Sequence, residues 1–430
     1  MAAQKIIEIE ETMEKGLFQR LSEEFGFIRG NLLLILSGWL LTDFSREMAF
    51  TYYPLYVQAL GGSASTVGLI GAASSITSAL MQFPGGYLAD RYGRKRIISI
   101  MTLLAAFAYL FYAFAPNWQA ILLGAILCEI CFIYTPAFNA MVMDSIPSEK
   151  RGTGYSIINL ITNASTTPSP LIAGVLYTKF GLVSGTRMSF LVVTLAFIVS
   201  GLLRTRLKET LENPEPIKGR ELLRSFSDAK IFVEGINAWG KVPRTALALL
   251  LIELMFIIPN VMFNVTLIFY LTEVLGFNHM EIAFIGSVIS ISIIVLAIPC
   301  GKLVDRIGKK KPMLIGCVLI AVAMPLIIWG NFIRALVVAP IIALVNILFG
   351  TSTQALNADL IPPEHRGKIL GSRSFFLLIA SSAGSILGGF IYDNVSRTLP
   401  MYTIWAATVP FFFLTLFFIK EPKKEEINGV

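Results

Sequence analysis

The sequence predicts an all-α integral membrane protein of twelve transmembrane helices, in two related six-helix halves with both termini cytoplasmic. Composition, apolar runs and an internal repeat predict this fold class. Hydrophobic residues make up 55% of the 430 residues and charged residues only 15%, whereas a soluble domain carries about 25% charge. Because such a chain cannot hide its apolar side chains from water, we expect the lipid bilayer to surround it.

Apolar runs of about 20 residues, long enough to cross a hydrocarbon core of roughly 30 Å, recur along the chain. Lipid offers the backbone no hydrogen-bond partner and the runs lack the alternation of barrel strands, so we expect helices. The predicted spans, first to twelfth, are 30–58, 66–88, 96–115, 119–143, 154–178, 187–207, 245–273, 280–301, 312–330, 335–358, 369–392 and 400–419.

A turn motif occurs twice at a spacing of 215 residues, half the chain length. GGYLADRYGRKR (85–96) is repeated as CGKLVDRIGKKK (300–311), and DSIPSEKRG (144–152) as DLIPPEHRG (359–367). These matches indicate an internal duplication, and because each copy holds an even number of spans the copies run parallel. A polar path is expected between them near the bilayer midplane. The predicted segments are 1–29 (cytoplasmic), 30–207 (first half), 208–244 (cytoplasmic linker), 245–420 (second half) and 421–430 (tail).

The basic residues lie mainly on one side of the predicted membrane. Of the 35 Lys and Arg, 29 fall in the segments on the side of the N-terminus, including nine in 204–244, and four fall in the opposite loops. By the positive-inside rule both termini and the linker are cytoplasmic. The net charge of +7 therefore reflects topology, and no nucleic-acid partner is expected. Residues 1–29 do not resemble a cleaved signal and predict an amphipathic helix along the membrane.

The sequence carries no recognisable enzymatic or metal-site motif. Cys128 and Cys131 flank Glu129, but two thiols do not complete a tetrahedral zinc site, and His279 and His365 both fall in predicted loops. Helix packing is the favoured role of these cysteines. The sequence has no phosphate-binding loop, nucleophile elbow or HExxH motif. We therefore expect no enzyme, no cofactor and no metal.

The twelve spans and the motif G-x-L-A-D-R-x-G-R-K, with its copy between the eighth and ninth spans, resemble the major facilitator superfamily of secondary transporters. TDFSREM (42–48), followed by Pro54-Leu55-Tyr56, is similar to a prokaryotic branch whose substrates are mostly unassigned. The resemblance implies alternating access to a central site for a small solute, in the cell membrane, by a protein that functions as a monomer.

The resemblance also implies a cytoplasmic latch built on the repeated motif. Asp90 would contact the start of the eleventh span, Arg94 would join a charge network, and the second copy would act against the fifth span. Gly85 and Gly86 would permit close helix approach. The alternative is that these loops only set topology by their charge. The candidate gating residues are Gly86, Asp90, Arg91, Gly93 and Arg94, with Gly301, Asp305, Arg306 and Gly308 in the second copy.

Three charged residues lie at the middle of the first span. Asp43, Arg46 and Glu47 are roughly 18 Å or more from either end, where an unpartnered charge costs a few kcal/mol. Their spacing of three and four places them on one side, so an Asp43–Arg46 pair can form within the helix. One acid would then remain free to exchange a proton. The alternative is a fixed cluster that holds helices together.

The remaining deep charges are Glu129, Glu253 and Arg373, in the fourth, seventh and eleventh spans. Four acids against two bases suit protons, or a cationic or neutral polar solute, better than a strong anion. The candidates for proton or substrate coupling are Asp43, Arg46, Glu47, Glu129, Glu253 and Arg373.

Polar stripes run along the fifth, seventh and tenth spans. The resemblance implies that the first, fourth, seventh and tenth spans line the cavity, so these side chains would face the solute. Polar stripes also join helices, at about 0.6 kcal/mol per contact, and both interpretations remain open. The candidates are Asn159, Asn163, Asn260, Asn264, Asn346, Thr353 and Asn357.

The chain departs from the drug–proton antiporters of this superfamily at two places. Gly124 stands where their fourth span carries Arg, and TTPSPLIAG (166–174) lacks most glycines of their fifth span. Both departures argue against a multidrug antiporter without excluding it. We expect a proton-coupled transporter, with efflux-type antiport slightly favoured over symport. The alternatives are a uniporter and a non-transporting membrane sensor, for which the linker of about 35 residues is short.

Overall fold

The regular structure is helical throughout the described part of the chain. The computed structural model describes residues 26, 28–147, 158, 161–162, 164–211, 237, 239–361 and 366–421. The helices are α1 (Asn31–Phe50), α2 (Tyr53–Ala59), α3 (Ala64–Arg91), α4 (Arg94–Ala113), α5 (Trp118–Cys131), α6 (Thr135–Asp144), α7 (Ser169–Phe180), α8 (Leu182–Arg204), α9 (Arg244–Phe269), α10 (His279–Ile307), α11 (Lys310–Ile328), α12 (Phe332–Leu360), α13 (Arg366–Asn394) and α14 (Leu399–Phe418).

Ten helical spans among these residues are long and apolar enough to cross a membrane. They correspond to the predicted second, third, fourth, sixth and later spans. The first span is α1 followed by α2 and carries three charges, and only the C-terminal part of the fifth is described, as α7. A count of twelve therefore stays a prediction. The predicted N-terminal and linker surface helices lie outside the described residues.

Prolines and side-chain caps set the helix boundaries. Pro54 in the first turn of α2 has no N–H to donate, so the chain restarts its helix there. Asn278 and Glu281 form a reciprocal capping box at the start of α10. Gly93 and Gly308 end α3 and α10 with φ of 86° and 88°, a conformation that favours glycine. The repeated motif therefore makes the same turn in both copies.

The helices form two sets that contact each other along two seams. We call α1–α8 the N-terminal half and α9–α14 the C-terminal half. The halves meet mainly where α3 packs on α13 and where α7 packs on α10. A Cβ atom on Gly68 would collide with the Ser385 carbonyl, and one on Gly389 with that of Ala64. Glycine at these positions allows the α3 and α13 backbones to touch.

Hydrogen bonds join the halves at the end of the helices opposite Gly93 and Gly308. The Tyr52 hydroxyl donates to His279 O at 2.6 Å, Gln58 Nε2 to Glu273 Oε1 at 2.8 Å, and the Ser65 N–H to Asp393 Oδ2 at 2.7 Å. Gln58 and Glu273 are 215 positions apart, so equivalent positions of the repeat meet here. We call these bonds the interhalf contact set, formed by Tyr52, Gln58, Ser65, Glu273, His279 and Asp393.

Candidate functional site

The three charged residues of α1 lie close together and differ in their exposure to solvent. Asp43 and Arg46 are half-buried and Glu47 is exposed. Asp43 and Arg46 interact electrostatically, and the ion pair within the helix stays a prediction. The Arg46 guanidinium lies 5.3 Å from the Phe132 ring centroid, and its buried Nε has no hydrogen-bond partner in the described structure.

Glu129 approaches the same arginine from α5. It lies three residues before a 3₁₀ turn, Phe132–Tyr134, that separates α5 from α6. Pro136 cannot donate a backbone hydrogen bond, and the Thr135 hydroxyl donates to Phe132 O at 2.7 Å instead. The turn brings Phe132 under Arg46. Glu129 and the Ser78 hydroxyl border a cavity of about 20 Å³, enough for roughly one water molecule.

Arg204 is a residue of this cluster that the sequence analysis missed. It was counted as a cytoplasmic cation, but it ends α8 inside the N-terminal half with 2% exposure. Its Nη1 donates to Thr102 Oγ1 at 2.5 Å, and its guanidinium lies 4.6 Å from the Phe138 ring centroid. It also interacts electrostatically with Asp43. The spacing along the sequence could have indicated its burial. One helical face carries Phe197, Ser200, Gly201 and Arg204.

Glu253 and Arg373 form an ion pair inside the C-terminal half. Arg373 Nε lies 2.7 Å from Glu253 Oε2 and Nη2 lies 2.5 Å from Oε1, a bidentate geometry that is strong and specific. The pair joins α9 to α13, and its two charges cancel. In the described part of the chain, the other deep charges lie in the N-terminal half, where three acids (Asp43, Glu47, Glu129) are near two arginines (Arg46, Arg204).

The predicted polar stripes divide into accessible and internal members. Asn264 Nδ2 donates to Asn260 O at 2.8 Å and to its Oδ1 at 3.1 Å. Asn264 and Asn346 are exposed, whereas Asn357 is 7% exposed. The Thr353 hydroxyl bonds Phe349 O of its own helix at 2.7 Å. Three amides therefore remain available to a solute, those of Asn260, Asn264 and Asn346. Asn159 and Asn163 lie outside the described residues.

The repeated turns carry equivalent ion pairs. Arg94 pairs with Asp144, and Lys309 with Asp359, at positions that differ by 215 in both partners. The N–H groups at the start of α4 and α11 donate to carboxylates, Arg94 N to Glu209 Oε1 at 3.0 Å and Lys310 N to Glu421 Oε1 at 2.6 Å. The Glu209 and Glu421 carboxylates thus lie at the positive, N-terminal ends of α4 and α11.

The other gating candidates make fewer contacts between helices in the described structure. Asp305 and Arg306 are exposed in the last turn of α10, and Arg91 bonds the Tyr87 hydroxyl. A Cβ atom at Gly86 or Gly301 would meet no described atom within 4 Å, and a close helix approach at Gly86 stays a prediction. Gly85 does lie close to a neighbour, Ile133 O. The side chains of Asp90 and of the first three residues of α13 lie outside the described part, so the predicted latch contact stays a prediction.

Comparison with known families gives one match over most of the chain. A model of the Major Facilitator Superfamily matches residues 35–353 and 249–430. The multidrug resistance protein MdtG of Proteus mirabilis is 26% identical over 395 residues, covering 89% of this chain and 94% of that protein. MdtG of Enterobacter lignolyticus is 28% identical over 302 residues, 68% of each chain.

Solved transporter structures share the fold at low sequence identity. The human organic anion transporter MFSD10 (TETRAN) has a TM-score of 0.65 at 18% identity, covering 90% of this chain and 98% of its own. A peptide transporter POT in complex with sulfate has a TM-score of 0.67 at 16% identity, covering 90% and 93%. At these identities the likeness shows the fold alone.

Proposed function

The chain belongs to the Major Facilitator Superfamily, and from that premise we propose that it exchanges a small solute for protons across the cell membrane by alternating access. It is a multi-pass membrane transporter and not an enzyme. The observation that carries the proposal is the unequal distribution of deep charge. The charges of the C-terminal pair Glu253 and Arg373 cancel, whereas the deep charges described in the N-terminal half are three acids and two arginines.

Proton coupling in this scheme depends on Arg46 and the acids around it. Its guanidinium interacts with both Asp43 and Glu129, and its Nε is unsatisfied in the described structure. Protonating one acid would remove a partner and let Arg46 turn toward another, because a buried charge seeks compensation. Glu129 is the proposed proton carrier, since the small cavity beside it offers a place for a relaying water.

Alternating access requires the interhalf contact set to break when the end of the protein that carries it opens. The set holds few side chains, and Gln58 and Glu273 meet near the axis that relates the halves. Such a contact can release when the halves rotate, without disturbing either core. The repeated turns at Gly93 and Gly308, with their internal ion pairs, would move as rigid parts of each half.

Export of organic solutes is the proposed direction. The relatives named multidrug resistance protein, at 26% and 28% identity, support export, although Gly124 and the glycine-poor segment 166–174 depart from drug–proton antiporters. The paired charges of the C-terminal half leave a uniporter as the second candidate, because binding alone needs no acid that titrates. Proton flux distinguishes the two.

The test uses purified protein in liposomes that contain a pH-sensitive dye. A solute library is screened for solute-evoked proton movement by wild type, Glu129→Gln and the control Glu281→Gln, which changes an acid in a helix cap. We expect one solute class to move protons with wild type and Glu281→Gln, and Glu129→Gln to reduce that movement at least tenfold. Solute uptake without proton movement in wild type would favour the uniporter and overturn the coupling.

A further inference from the structure

The C-terminal half contains a cavity of about 110 Å³ between α9, α11, α12 and α14. Its volume is close to that of the roughly 150 Å³ apolar cavity that accepts benzene. The wall includes Phe256 and Phe263 of α9, Phe349 of α12 and Ala323 of α11. The cavity therefore has room for a single ring, not for a whole drug-sized molecule.

The arrangement of the aromatic side chains favours a flat guest. The Phe256 and Phe349 ring centroids are 5.6 Å apart at an interplanar angle of 33°, and both rings pack on Phe411 at 4.7 and 5.1 Å. These rings are fixed by one another, so they lose little freedom on binding. A ring placed beside them can make offset or edge contacts, which aromatic pairs prefer.

Two amides lie on the cavity wall. Asn260 Oδ1 accepts from Asn264 Nδ2, which orients the Asn260 amide, and within the described residues its own N–H groups have no hydrogen-bond acceptor. Asn346 is exposed, and its amide has no hydrogen-bond partner in the described structure. A lipid acyl chain in the cavity would leave these groups unsatisfied in the membrane interior, whereas a solute with an amide or hydroxyl group would satisfy them.

Among the described residues, no charged side chain lines the cavity. The nearest deep charges of this half, Glu253 and Arg373, are occupied with each other. An ionised group would find no counter-charge here, so the group that enters should be neutral.

From these observations we propose that the cavity binds an aromatic ring bearing a neutral amide or hydroxyl group, as one end of the transported solute. The inference rests on the proposed transport function and deepens it by naming the chemistry of the solute. The ring contacts Phe256 and Phe349, and the polar group bonds Asn260 and Asn346.

The experiment measures binding by saturation-transfer difference NMR on the full-length protein in lipid nanodiscs, with empty nanodiscs subtracted. The probes are benzamide, cyclohexanecarboxamide and hexanamide, which share the amide and differ in the apolar part, and toluene, which lacks the amide. Ala323→Leu fills the cavity, and Ala406→Leu makes the same change at an exposed position of α14.

We expect benzamide to give at least three times the signal of the other two amides, and Ala323→Leu to lose at least nine-tenths of it while Ala406→Leu keeps it. Asn346→Leu should weaken the binding of benzamide and leave the binding of toluene unchanged. Equal signals from hexanamide and benzamide would identify an acyl-chain pocket and overturn the proposal, as would unchanged benzamide binding in Ala323→Leu. Should Ala323→Leu not fold, the Asn346→Leu comparison decides by itself.

The two proposals fail separately. Benzamide binding that follows this pattern, in a protein that moves no protons with any solute, would overturn proton coupling and keep the pocket. Proton movement that depends on Glu129, with benzamide binding indifferent to Ala323→Leu, would overturn the pocket and keep the coupling.

Discussion

At the scale of single residues, the N-terminal half depends on two arginines that occupy different surroundings. Arg46 is half-buried and interacts with several acids, while Arg204 is enclosed between Thr102 and two aromatic rings. A guanidinium held in this way is pre-organised and difficult to replace by an ammonium. Arg204 is therefore the structural cation of the cluster, and Arg46 is the one free to change partners.

Replacing Arg204 should destabilise the protein. Arg204→Ala removes the contacts to Thr102, Tyr134 and Phe138, and we expect a loss of roughly 2–4 kcal/mol in unfolding free energy. Because all four cysteines are free and buried, a thiol-reactive dye can report thermal unfolding directly. Arg206→Ala, two residues on and exposed, should unfold like wild type. Equal unfolding temperatures for the two variants would contradict the assigned role.

The Glu253 and Arg373 pair should show strong coupling. Glu253→Gln or Arg373→Gln alone strands a charge inside the membrane, with an expected cost of about 3–5 kcal/mol. The double variant carries no charge and should recover much of that loss. The same dye assay, analysed as a double-mutant cycle, measures the coupling. Additive effects of the two substitutions would show that the pair is not a unit.

At the scale of helices, the sequence predicted the repeat better than the irregular segments. The 215-residue offset anticipated the turns at Gly93 and Gly308, because left-handed backbone selects glycine wherever it recurs. The break between α1 and α2 and the 3₁₀ turn before α6 were missed. Both adjoin a proline, Pro54 and Pro136, but whether a proline kinks or ends a membrane helix depends on which neighbours satisfy the freed backbone groups.

The N-terminus of α3 depends on a carboxylate from the other half. Asp393→Asn weakens its hydrogen bond to the Ser65 N–H, a contact worth roughly 1.5 kcal/mol or more when the acceptor is charged. We expect the population with separated halves at this end to rise about tenfold. Spin labels at Lys179→Cys and Arg334→Cys, both exposed and in different halves, measure the distance by double electron–electron resonance.

The matched control is Glu281→Gln, which alters a carboxylate that bonds only within its own half, at the α10 cap. Its distance distribution should equal that of wild type. An unchanged distribution in Asp393→Asn would mean that the interhalf contact set does not hold this end closed.

At the scale of the whole molecule, composition and charge placement were enough to predict a helical membrane transporter. The positions of the deep acids were also evident, since charges stand out in apolar segments. Their partners were not evident, because the long, flexible side chain of an arginine can turn to either side of its helix. The cavity lined by Phe256 and Phe349 arises from four helices of the C-terminal half, and no local pattern in any of them encodes it.

The central claim, that an acid of the N-terminal half couples protons to solute movement, is tested most directly by separating exchange from net transport. Liposomes with wild type or Glu129→Gln are assayed for solute counterflow at equal pH and for uptake driven by a pH gradient. We predict that Glu129→Gln retains at least half of the counterflow and loses at least nine-tenths of gradient-driven uptake. A variant that keeps both activities would contradict the claim, and one that loses both would make Glu129 a binding or structural residue.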